Sequence, residues 1–385
     1  MRGYIKTIAD LENMYYIDPQ MQRVLTKIDA PVLSTTTGVY NPIYGAKAWV
    51  QLNQEINVFS ALEKIPWNQS GWRVITARST TKGTGGVAEN GTIPDTTKPT
   101  WTLLKATPRS VAHPFSASEV DQFLGENGQD DTLGDTMGAL REYFAKEHPE
   151  HLNKMLMADA SAEAAAAGGV DRYDTAPTNP ETLDRIISND SEEDAFGGAN
   201  DQWFDPWGTT VDRDAGTTYD SYVSHNSGTD RTFTMDMLDT AIRTIKTNSG
   251  ERPNLIITGE DTLERIVQEQ MTMQRYVDVT VGAGGISVNG VKTEGVDTGM
   301  NVASYRGIPI ITSQDVPVDT ISRVYFVNTD YLKIKVAKPT QYFETGMSKG
   351  DPFGINKLGD EGMYRTMLEV VCFNFLAQGK IRDLK

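Results

Sequence analysis

The chain has 385 residues, 38% hydrophobic and 23% charged, which is ample apolar material for a folded core and the usual length of two or three structural units. Its 36 Lys and Arg against 52 Asp and Glu give a formal charge of −16, which argues against a protein held on nucleic-acid phosphates by its overall field. One cysteine, Cys372, excludes an internal disulfide framework. No apolar run approaches the ~20 residues that cross a bilayer, and Met1–Ile8 lacks the apolar core of a secretion signal. The expectation is a protein that works where it is made, or in a particle assembled there.

Residues 1–45 read as an arm. An amphipathic helix is expected around Ile8–Leu25, interrupted by Pro19, and the stretch from Ala30 to Gly38 is extended with no helical period. Such a segment needs a partner surface to lie on. A helical period resumes over 46–66 through Ala48, Leu52, Ile56, Phe59 and Leu62. The stretch Trp72–Arg78 then reads as a strand and Thr100–Ala112 as its return. Between them lies a Gly-, Thr- and Pro-rich tip, Ser79–Pro99. A lone hairpin is marginal in water, so this arm too should rest on something else. From Lys64 to Arg109 the basic residues Lys64, Arg73, Arg78, Lys82, Lys98, Lys105 and Arg109 face only Glu89 and Asp95, whereas the next hundred residues are dominated by acids. That asymmetry suits attraction between the arm of one copy and the body of the next, or simply two solvated faces.

The span Asp130–Gly169 is expected to be one helix roughly three times the usual length, with a single apolar stripe through Leu133, Met137, Leu140, Phe144, Leu152, Met155 and Leu156. Asp130 or Asp131 would cap its start. Ala164–Gly169 would end it, and Pro149 would kink it. The acidic, Trp-containing stretch Val170–Arg231 is long for a loop. It either folds on itself around Trp203 and Trp207 or is a surface feature.

Beyond it the pattern is regular. Thr234 opens a helix stopped at Asn248–Gly250, Asn254–Thr258 is a buried strand, and Glu260–Gln270 is a second helix, together a compact α/β unit. Asn289–Gly290 marks a hairpin within Ile286–Lys292. Tyr305–Thr312 reads as one strand that Pro309 drives to a sheet edge, followed by strands at Arg323–Asn328, Leu332–Val336 and Tyr364–Leu376 and a charged tail, Lys380–Lys385.

Catalytic chemistry has little to stand on. His148 and His151 are three apart on the long helix, a spacing that can share a metal ion, but the HExxH arrangement is absent and Pro149 disturbs that turn; polar surface residues are the default reading. Gly83–Gly86 and Gly282–Gly285 lack the Gly-Lys-Ser/Thr of a phosphate loop, and the acids of Asp190–Asp194 and Asp212–Asp220 lack calcium-loop spacing. Cys372 lies in an apolar strand and reads as core. The expectation is no enzyme, with no catalytic, cofactor or metal site.

The order of parts, together with the local phrasing of Trp101–Ser118, Thr234–Ile266 with its Pro253-Asn-Leu-Ile-Ile-Thr core, and Tyr305–Ile311 followed by Val324–Asp330, resembles the major capsid proteins of tailed bacteriophages and related archaeal viruses, the family with the HK97-like fold. The resemblance implies an α+β fold with an N-terminal arm at 1–45, a lead-in helix and extended hairpin (E-loop) at 46–118, a spine helix of the peripheral P-domain at 119–169, an axial A-domain at 170–335 and P-domain strands at 336–385. It implies a subunit that associates with itself in hexamers and pentamers, encloses double-stranded DNA without reading its sequence, binds no membrane and resides in the virion after assembly in the host cytoplasm. Scaffolding, portal and decoration proteins are the partners it implies. No charged helical segment precedes the arm, so scaffolding is expected from a separate protein. The covalent crosslink of some family members would fall on Lys82 and Asn356, which match in residue type alone. An encapsulin-type compartment shares the fold and is the alternative; a metal-dependent hydrolase using His148 and His151 is the alternative of another class.

Overall fold

The computed structural model describes residues 57–77, 87–92, 98–119, 122, 136–160, 179–196, 204–207, 211, 213, 217–273, 287–288, 291–292, 303–350 and 358–385. The expected N-terminal arm, the hairpin tip around Lys82, the start of the long helix, its Ala164–Gly169 stop, Trp203, Gly282–Gly285 and Asn356 lie outside the described residues.

The first described elements are a short helix α1 (Asn57–Ala61) and strand β1 (Lys64–Pro66). The predicted arm then forms as β2 (Gly71–Ala77) antiparallel to β3 (Thr100–Lys105), with Trp72 opposite Leu104 and Ile75 opposite Trp101. The return strand does not run on to Ala112 as expected. It breaks at 106–108, where Pro108 has no N–H to offer a ladder, and resumes as β4 (Arg109–Ser118) in another sheet. That sheet has the order β1–β12–β13–β4, with β12 (Leu332–Gly346) parallel to β1 and β13 (Gly359–Cys372) between β12 and β4.

Among the described residues the long helix is interrupted where its sequence suggests it should run on. Helix α2 is Thr136–Met157; the chain leaves it at 158–159, and Ala160 is helical again with its N–H held by the Asp184 carboxylate at 3.1 Å. Pro149 sits within α2 without ending it, and the carbonyl it deprives of a donor belongs to exposed Ala145, where water can meet it.

By packing, the chain forms two units. One comprises the described residues of 112–147 and 342–364. Its described core is Phe115, Ala117 and Met137, with Leu140, Phe144, Tyr342 and Tyr364 against it. Phe115 and Phe144 stack with centroids 4.8 Å apart, and Gly362 makes room for that ring, since a Cβ there would lie 2.6 Å from Phe115.

The other comprises 54–111, 148–341 and 365–385 and holds a six-stranded mixed sheet in the order β5–β14–β11–β6–β10–β9. Here β5 is Tyr222–Ser224, β6 Leu255–Thr258, β9 Ala303–Tyr305, β10 Ile308–Thr312, β11 Val324–Val327 and β14 Gly379–Ile381. Helices α3 (Leu183–Ile186) and α4 (Asp190–Phe196) precede β5, while α5 (Met235–Ser249) and α6 (Glu260–Met273) flank β6. Gly250 closes α5 in the left-handed conformation, as its sequence predicts.

Ile256, Ile310, Val324 and Phe326 face α5 and α6, whereas Leu255, Ile257, Ile311, Tyr325 and Val327 face a second core with Leu152, Leu156 and Leu183. Strands covered on both faces need no polar alternation, which is why these segments read as continuous apolar runs. The small hairpin β7 (Ser287–Val288) and β8 (Val291–Lys292) pairs in the register a two-residue turn dictates.

Two strand expectations change. Tyr305–Thr312 is a hairpin, turned at Arg306–Gly307 with both at positive φ, and β10 is internal, between β6 and β9. Pro309 is tolerated there because it lies one residue ahead of the first pair with β6, Ile310 opposite Ile256. The apolar strand expected through Leu376 ends at Cys372, and the "charged tail" is β14 and its extension, with Lys380, Arg382 and Asp383 buried.

Candidate functional site

In the β2–β3 hairpin, alternation sends Trp72, Val74, Thr102 and Leu104 to one face and Arg73, Ile75, Trp101 and Leu103 to the other. The first face is anchored: Trp72 meets Trp207 edge to face at 5.1 Å and Phe373 at 5.8 Å. The second is bare, with Ile75 58%, Trp101 54% and Leu103 52% exposed. Directly opposed apolar side chains left in water on one strand pair form a contiguous patch, the signature of a surface made to be covered. Arg73, Lys98 and Lys105 are also exposed and join no ion pair among the described residues.

Within the second unit, the acidic stretch before β5 folds onto the C-terminal strand. Lys380 Nζ lies 2.9 Å from Asp184 and 2.7 Å from Glu192, Arg382 Nη1 lies 2.8 Å from Glu192, and Arg323 reaches Asp184, Asp159 and Asp319 at 3.3, 3.0 and 2.9 Å. Burial by itself would raise the Asp184 carboxyl, but Lys380, Arg323 and Arg382 hold it well below the usual carboxylate range. Buried charges survive only when paired and hydrogen-bonded, and Asp184 also accepts from the Tyr325 hydroxyl at 2.8 Å.

Beside this network Arg213 donates to five backbone carbonyls, those of Phe204, Ser188, Tyr219, Arg185 and Ile186, at 2.6–3.1 Å. It ties the irregular stretch into a packed body. Of the two readings of Val170–Arg231, folding around tryptophan holds for the described part: Trp207 is buried and its Nε1 donates to the Val370 carbonyl at 3.0 Å.

The sequence matches no protein-family model and no curated protein. Solved structures do resemble it. A chain of the Cyanophage A-1(L) capsid asymmetric unit aligns with a TM-score of 0.59 at 16% identity, covering 89% of this chain and 97% of that one. This chain has the HK97-like capsid fold. Two further solved structures align over nearly the whole chain: the capsid of a native GTA particle, with a TM-score of 0.53 at 11% identity over 92% and 98% of the two chains, and a chain of Mycobacterium phage Bobi, with 0.50 at 10% over 90% and 96%.

The residues singled out for chemistry find structural places in this capsid fold. His148 is buried, its Nε2 2.7 Å from the Thr366 hydroxyl, which in turn meets Thr340 at 2.8 Å; His151 is half-buried. Among the described residues no group of three or more His, Cys, Asp or Glu is arranged to hold a metal. Of the acids in Asp190–Asp194, Glu192 is spent on Lys380 and Arg382, and Cys372 is core, its thiol pushed up to about 12 by burial. The bare hairpin face, the ion network and the Arg213 clamp were not singled out from sequence. The one local signal was the alternation of charge with apolar residues in Gly379–Leu384.

Proposed function

We propose that this chain is a major capsid (head) protein that associates with itself in hexamers and pentamers of an icosahedral shell enclosing double-stranded DNA. The observation that carries the reading is the capsid fold over nearly the whole of both chains. In this reading, 1–45 is the N-terminal arm, 46–118 the lead-in helix and E-loop, 119–169 the spine of the P-domain, 170–335 the A-domain and 336–385 the closing P-domain strands. The exposed Ile75, Trp101 and Leu103 then lie on the E-loop and are covered by a neighbouring copy. That burial, repeated around each ring, supplies an apolar contribution which the lone subunit cannot realise. Catalysis and cofactors play no part. The charge of −16 suits a shell packed with DNA, since a like-charged wall does not trap it. Scaffolding, portal and decoration proteins complete the expected set of partners.

Gradient-purified protein viewed by electron microscopy tests this. Closed shells, or rings of five and six, are the expected result, and DNA-filled particles from infected or induced cells separate a virion from a compartment carrying protein cargo. A species that stays monomeric at high concentration, with and without its scaffolding partner, would sink the proposal.

A further inference from the structure

Within the second unit, the body and the root of the hairpin converge on one ammonium. Lys335 lies on β12 opposite Ile65 of β1, is buried, and donates from Nζ to the Gln69 carbonyl at 3.1 Å. Three rings enclose that nitrogen. The centroid of Trp72 on β2 lies at 4.9 Å, that of Trp67 just past β1 at 5.6 Å, and that of Phe373 just past β13 at 5.9 Å, all within the reach of a cation over a π-face. No carboxylate among the described residues pairs with it, and burial is the one influence on its charge. The charged groups on the strands around it are spent elsewhere: Glu63 on Lys333 at 2.6 Å, Lys64 on the Phe59 carbonyl at 2.9 Å, and Glu369 on the N–H groups of Glu181 and Val370. Arg73 and Lys105 of the hairpin lie exposed.

An ammonium taken out of water without a counter-ion costs free energy, and burial lowers the Lys335 amine from its ordinary 10.5. A methionine would fill much the same volume without that cost, so stability alone does not explain the charge. Orientation does. The indole N–H of Trp72 is buried and has no hydrogen-bond partner among the described residues, so no hydrogen bond fixes that ring. The rings of Trp207 and Phe373 pack against it edge to face, and the Lys335 cation is the one charge set over it. We infer that Lys335 is the positioning residue of the hairpin, its ammonium fixing the Trp67 and Trp72 rings and through them the direction in which the arm leaves the body of its own unit. The inference rests on the shell reading only for what that direction serves, the presentation of the bare face of Ile75, Trp101 and Leu103.

The test measures that direction in the unassembled subunit. Spin labels on Thr100→Cys in the arm and Arg243→Cys on α5, both exposed positions, report an arm-to-body distance, and buried Cys372 takes no label. Lys335→Met should unfold in urea at a midpoint no lower than that of the labelled parent, yet spread the distance distribution about twofold or more. Raising the pH from about 8 to about 10 should broaden the parent's distribution toward that of the variant and leave the variant unchanged, because the buried amine gives up its proton below the ordinary 10.5. A variant as narrow as the parent, or a parent whose width ignores pH, would overturn the inference. So would a variant that loses stability with no spread, which would reduce Lys335 to packing. If the arm spreads as expected in the variant but the wild type never associates, the shell reading fails and Lys335 keeps its role.

Discussion

The deepest buried carboxylate on β13 gives the sharpest expectation for stability. Glu369 is buried, and its Oε1 accepts the N–H groups of Glu181 at 2.8 Å and Val370 at 3.0 Å. Its Oε2 lies 3.6 Å from Arg109 Nε. Burial, with the nearby Glu181 carboxylate adding to it, pushes the Glu369 acid from 4.5 up to about 8, against the opposing pull of the two N–H groups and Arg109. A carboxyl that holds its proton more tightly folded than unfolded contributes stability at low pH and loses it as pH rises from the unfolded value through the folded one. The slope is about 1.4 kcal/mol per pH unit, so between pH 5 and pH 8 this group should cost the folded chain about 4 kcal/mol.

Glu369→Gln keeps an oxygen for the two N–H donors and cannot ionise. Urea unfolding of the unassembled subunit at pH 5, 6, 7 and 8 should therefore show the variant gaining on the wild type steadily, by about 4 kcal/mol over the range. Two curves that stay parallel across pH would mean that Glu369 is ionised in the fold throughout, and that Arg109 and the N–H groups outweigh burial.

Two further outcomes follow from the described geometry. Lys380→Met leaves Asp184 and Glu192 buried without their shared cation, and should lower subunit stability by about 3–5 kcal/mol in chemical denaturation; a change under 1 kcal/mol would show that Arg323 and Arg382 suffice alone. Trp101→Ser on the bare hairpin face should shift subunit stability by no more than about 0.5 kcal/mol while weakening assembly measured by light scattering, whereas equal loss of both would place that face inside the subunit's own fold.

Much of the fold could be read from residue order, because it is written in local chemistry. The helical period and Gly250 stop of α5, the Asn289–Gly290 hairpin register, the buried β6 run and the β2–β3 arm each depend on residues within one window. The same holds for the order of parts, which carried the family resemblance. What the sequence by itself could not decide is which distant groups meet. Asp184 holds the Ala160 N–H just past the break in the long helix, and it pairs with Lys380 across 196 residues. The tail that read only as charged is buried for that reason: the acids that neutralise it arrive only when the 181–196 stretch packs on β14. Likewise the return of the arm breaks at Pro108 because β13 offers a second sheet beside it, and Pro309 lies inside a sheet because register puts its missing N–H where no partner is owed. Local propensity chose the elements; long-range pairing of charges and strands chose their ends, their neighbours and which of their faces stayed bare.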